Sequence, residues 1–138
     1  MKKQTVILTN QEILDALSKL EKAEKCKSIS LPIKQLWELK KNIGKLEDVR
    51  KQFLSMSADI EKEYTDDEHS TETKRENGDV VRAVKKEYLQ EFVQKKTELL
   101  EAGNDMDLSL FSLDDLDDGD FTLEVLDALA VFIEDTDE

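Results

Sequence analysis

The densest group of residues able to do chemistry is Asp114-Asp115-Leu116-Asp117-Asp118-Gly119-Asp120, whose acid and glycine content is that of a calcium loop. Such a loop needs oxygen ligands at its first, third and fifth positions, glycine at the sixth and a bidentate glutamate at the twelfth. With Gly119 in the sixth place, Asp114 falls first and Asp118 fifth, but Leu116 falls third and Val125 twelfth, and Glu124 misses by one residue. The register therefore predicts a solvated acidic turn before a helix, with no specific metal site.

His69 is the one histidine and stands beside Asp66, Asp67 and Glu68, a setting that could lend a nitrogen to a cation. One nitrogen does not complete a metal site, and general-base work needs an orienting partner on a rigid scaffold, so an exposed loop histidine is expected. Cys26, between Lys25 and Lys27, favours its thiolate and so chemical labelling rather than catalysis. A single cysteine excludes an intramolecular disulfide and a cysteine-rich metal cage. Gly44-Lys45 lacks the rest of a phosphate-binding loop and falls inside a helical pattern. Neither enzymatic activity nor a cofactor is expected.

The elements that position these residues are mostly helical. One proline and four glycines in 138 residues leave long stretches without a breaker. Thr5 to Thr9 reads as a short strand, and Thr9-Asn10-Gln11-Glu12 is a capping box that starts a helix carrying Ile13, Leu14, Leu17 and Leu20. Pro32 opens a second helix whose apolar residues, Leu36, Leu39, Ile43, Leu46, Val49, Phe53, Met56, Ile60 and Tyr64, recur at threes and fours. A helix of that length, about 50 Å, calls for an antiparallel partner. Gly44 within it reads equally as a place of close approach or as a tolerated surface glycine, and Trp37 reads as a core anchor.

Asn77-Gly78 marks a reversal, either a β-hairpin or a flexible loop. A third helix carries Val84, Tyr88, Leu89, Phe92, Val93, Leu99 and Leu100 and stops at Gly103. Met106 to Leu110 alternates apolar and polar, predicting a strand paired with the N-terminal one, and a fourth helix buries Leu123, Val125, Leu126, Leu129, Phe132 and Ile133 after a Thr122 cap. The expected fold is mainly α: a long antiparallel helical hairpin with a shorter N-terminal helix, a C-terminal helix and a small two-stranded antiparallel ribbon. It reads as a single domain, 1–138, divided into 1–64, a polar tip at 65–82, a third helix at 83–103 and an acidic strand-loop-helix segment at 104–138.

Charge is unevenly placed. Residues 1–96 hold all 20 bases with 18 acids, whereas 97–138 hold 15 acids and no base, so the net −13 resides in the last third. That segment repels a phosphate backbone and attracts a basic protein surface, so direct nucleic-acid binding is disfavoured and a protein partner is expected. Within it, Phe111, Leu113, Leu116 and Phe121 alternate with Asp114, Asp115, Asp117, Asp118 and Asp120. The pattern either docks into a basic-rimmed groove or tucks the segment onto its own helices. No apolar run spans a bilayer, so the cytoplasm is the expected location.

Five pieces in order carry a family resemblance: Leu8-Thr9-Asn10-Gln11-Glu12-Ile13, Leu31-Pro32-Ile33-Lys34, Lys41-Asn42-Ile43-Gly44-Lys45-Leu46-Glu47, Met106 to Leu116, and Leu126 to Glu134. Together the sequence resembles a family of small uncharacterised proteins of tailed phages and prophages of Gram-positive bacteria. The resemblance implies a phage or prophage origin and brings no catalytic residues. The expected role is an accessory protein that occupies a host protein through the acidic third. A virion or tail-assembly component that packs with its own copies is the alternative, and a small-molecule sponge is a third reading.

Overall fold

The computed structural model describes residues 2–25, 31–112, 114–116 and 123–134. The chain divides into two compact units, Met1–Arg50 with Gly103–Glu138, and Lys51–Ala102.

In the first unit, strand β1 (Lys2–Thr9) runs into helix α1 (Asn10–Lys25) through the expected capping box. The Thr9 hydroxyl accepts from the Glu12 amide at 3.1 Å, and Glu12 Oε1 accepts from the Thr9 amide at 3.0 Å, so two amides that the helix start orphans are both satisfied. Ile13, Ala16, Leu17, Leu20 and Ala23 recur at helical spacing and form the buried side of α1.

Strand β4 (Gly103–Leu110) pairs antiparallel with β1 along all eight residues, Lys2 opposite Leu110 and Thr9 opposite Gly103. Alternation turns Leu8, Met106, Leu108 and Leu110 to the core, while Thr5 and Asp107 lie on the other face and share a 2.5 Å hydrogen bond. Leu39 and Leu46 of helix α2 (Ile33–Glu63) join that core, as do Val125, Ala128 and Leu129 of helix α4 (Leu123–Leu129). A 3-10 turn, Ala130–Phe132, then brings the chain back beside β4. The Phe111 amide donates to the Phe132 carbonyl at 2.7 Å and the Glu134 amide to the Phe111 carbonyl at 2.8 Å. Phe132 and Ile133 thus leave the helix to make a turn and a parallel bridge, and Leu123, expected inside, is 85% exposed. Thr122, its expected cap, lies outside the described residues.

In the second unit the reversal is a true hairpin: β2 (Ser70–Lys74) pairs with β3 (Val80–Val84), Glu72 opposite Arg82. Gly78 takes a φ of 91°, the left-handed conformation that the Asn-Gly turn requires. Helix α3 (Lys86–Glu101) follows. Its side chains meet the end of α2 where Lys96 bonds Ser57 and Glu61, Lys95 bonds Glu63 at 3.0 Å, and Phe92 stands edge-on to Tyr64.

The expected mainly helical fold needs correction. Among the described residues there are two two-stranded sheets, β1–β4 is larger than a small ribbon, and no long helical hairpin is present. α2 has 31 residues and α3 only 16, and the apolar stripe of α2 divides its loyalties. Leu39 and Leu46 pack into the β1–β4 core, Tyr64 is buried beside Phe92, and Met56 between them is 55% exposed. Trp37 is a second correction: it is 64% exposed, because it lies two residues from Leu39 and so on nearly the opposite side of α2. A Cβ added to Gly44 would meet nothing within 4 Å, so that glycine is a surface position and not a point of close approach.

Candidate functional site

The acidic third is a folded surface rather than a trailing chain where it is described. Of its described large apolar side chains, Met106, Leu108, Leu110, Phe111, Val125, Leu129 and Phe132 are buried, while Leu123 is exposed. Of its described acids, Asp105, Asp107, Asp114 and Asp127 are exposed. Asp127 pairs with Lys19 at 3.4 Å. Alternation on β4 and helical spacing on α4 do this sorting, apolar residues inward and carboxylates outward.

The described residues among those singled out from the sequence have different roles. Phe111 is fully buried and bridged to Ile133, so it supports the fold and presents no side chain to a partner. Asp114, Asp115 and Leu116 form one 3-10 turn. Asp114 is exposed, while Asp115 closes the turn: its carboxylate accepts from the Ser112 amide at 2.9 Å and hydroxyl at 3.0 Å. That amide bond is the main reason its pKa is lowered. Asp117, Asp118, Asp120 and Phe121 lie outside the described residues, as do Leu113 and Cys26.

The side chains with the closest mutual geometry sit elsewhere in the same unit and were missed from the sequence. A cleft of about 390 Å³ lies between α2 and the polar face of β1–β4, lined by Lys3, Thr5, Glu38, Lys41, Asn42, Lys45, Asp107 and Ser109. Asn42, 1% exposed, clamps β4: its amide donates to the Ser109 carbonyl at 2.7 Å and accepts from the Ser109 amide at 3.0 Å. Lys45 donates to the Asp107 carbonyl at 2.6 Å. These bonds complete the edge of β4 that β1 does not use. Ser109 Oγ donates to Glu38 at 2.7 Å, and Lys41 pairs with Glu38 at 2.9 Å. Lys41 first and Ser109 second lower the Glu38 pKa. The polar groups of the cleft bind one another, which makes it a seam that locks helix to sheet. Asn42 stands in line with Leu39 and Leu46, three and four residues away, and a polar residue inside an apolar stripe is the signal that marks such a clamp.

His69 packs in an aromatic cluster in the second unit, 5.6 Å from Tyr64 and 4.5 Å from Tyr88 between ring centroids. Asp66 accepts from its backbone amide at 2.8 Å and contacts Nδ1 at 2.7 Å. His69 is therefore half-buried and oriented, unlike the exposed loop residue expected. The side chain of His69 is the first cause of the lowered Asp66 pKa, its amide the second. Asp66, Glu68 and His69 place donor atoms within 4.8 Å of one another, but Nδ1 is engaged by Asp66 and the aromatic packing already accounts for the arrangement. Lys95, beside Tyr64 and Glu63, is pushed up to about 12.

No family model, curated protein or solved structure matches the chain. Among the described residues, no helix is long and apolar enough to cross a membrane.

Proposed function

We propose that the chain is a non-enzymatic phage or prophage accessory protein that binds and occupies a host protein, using the acidic surface of its last third against a basic face. The observation that supports this reading is charge segregation combined with folding. Fifteen acids and no base follow Thr97, and among the described residues most of the large apolar side chains from Met106 onward are taken into the core, Leu123 excepted, while Asp105, Asp107, Asp114 and Asp127 face outward. A surface of one sign raises the encounter rate with a basic partner and discriminates against acidic ones and against nucleic acid.

The test must keep the fold. Removing residues 97–138 would take away β4 and α4 and with them much of the core, so loss of binding by that deletion would be uninformative. Changing Asp105, Asp114, Asp117, Asp118 and Asp120 to asparagine preserves size while removing five charges. The full chain is expected to retain a defined protein from a Gram-positive host lysate, and the five-asparagine chain to lose it. Equal recovery of the same protein by both would refute the role given to the acidic surface.

A further inference from the structure

The Lys51–Ala102 unit buries little apolar surface. Tyr64 is its one buried hydrophobic side chain, and no residue of α3 is buried. A unit of this size ordinarily hides about 60% of its chain surface to be stable. The apolar stripe of α3 is also wider than its contacts use. Tyr88 and Phe92 turn to His69 and Tyr64, but Leu89 and Val93, one turn apart on the adjoining side, are 46% and 52% exposed. Leu100 continues their line and is half-buried.

The charges at the ends of α3 point to what covers that side. Lys85 and Lys86 stand at its N-terminus, with Glu87 the one acid of the first turn, and Glu98 and Glu101 stand in its last turn, where no base is present. The lysines and the closing glutamates oppose the helix dipole, which favours anions at the start and cations at the end. Among the described residues, Lys86 and Glu101 take part in no ion pair. An antiparallel neighbour with the same sequence corrects both ends at once.

We propose that the Leu89–Val93 side of α3 is a self-association surface, covered by α3 of a second copy running antiparallel. Pairing about Val93 sets Leu89 of each copy level with Thr97 of the other and close to Leu100. It brings Lys86 of each beside Glu101 of the other. Parallel pairing would instead oppose lysine to lysine and glutamate to glutamate, which costs association energy.

Sedimentation equilibrium of the full chain at 0.15 M salt tests this, and a concentration-dependent dimer is expected. Val93→Asp, at an exposed position, is expected to weaken the dimer by about thirtyfold or more while circular dichroism stays unchanged. Should that variant lose its circular dichroism signal, Leu89→Lys carries the same expectation. Lys86→Glu and Glu101→Lys each weaken it by roughly two- to tenfold, from two exposed pairs per dimer, and the double exchange restores it. A wild-type chain that stays monomeric at high micromolar concentration overturns the proposal. So does a dimer indifferent to Val93→Asp and Leu89→Lys, or a double exchange no better than the single ones.

Discussion

Replacing Asn42 by alanine probes how α2 is fixed to β4. Alanine removes the 2.7 Å bond to the Ser109 carbonyl and the 3.0 Å bond from its amide, at a position only 1% exposed. Each bond contributes about 1 kcal/mol net, and each backbone group left buried without a partner adds about 1 to 3 kcal/mol. Partial entry of water into the adjoining cleft offsets some of this, so the expected loss is about 3 kcal/mol. With an m-value of about 2 kcal/mol/M, the urea midpoint should fall by roughly 1.5 M without a change in slope. Asn42→Asp should be at least as damaging at neutral pH, since it keeps an acceptor for the amide but turns negative oxygen toward the carbonyl. Gln11→Ala, which removes an exposed contact with Asp15, serves as the control and should cost less than about 0.5 kcal/mol. A loss below about 1 kcal/mol for Asn42→Ala would refute the clamp as the element that joins helix to sheet.

Gly44→Ala should raise stability by up to about 1 kcal/mol in the same urea assay, because the added methyl meets open space and the helix gains propensity. Gly78→Ala should cost about 1 kcal/mol through the left-handed φ of 91° and expose the hairpin to limited proteolysis; unchanged cleavage would contradict the turn assignment. Glu38 has its pKa lowered in the folded chain by Lys41 and Ser109, so its contribution is complete above its ordinary value of 4.5 and is lost as pH falls through the depressed one. Glu38→Gln should therefore flatten the acid limb of the stability profile, and an unaltered limb would exclude this linkage.

Local signals in the sequence carried furthest. The Thr9-Glu12 box, the alternation from Met106 to Leu110 and the Asn77-Gly78 turn each specify a geometry within a few residues, and each is present. What failed was the partner of the long helix. The stripe from Leu36 to Tyr64 says that one side of α2 is apolar, but spacing alone does not distinguish a sheet from a helix as the covering surface. Trp37 is exposed because helix geometry sets it nearly opposite Leu39, an angle that its apolar character does not reveal. Of the candidate binding residues, Phe111 proves to be core and Asp115 a turn closure, roles decided by the return of the chain at Phe132 and by Ser112, neither of which composition reveals. Asp114 keeps the exposure that a binding residue needs.

The role given to the acidic third is tested most directly by measuring affinity for the purified host partner at two ionic strengths, such as 50 and 300 mM, with the wild-type and five-asparagine chains. Carboxylates facing a basic surface predict an affinity that falls at least about tenfold for the wild type as salt rises, and a variant that is weak and nearly salt-independent throughout. Equal affinities for the two chains at both ionic strengths would contradict it.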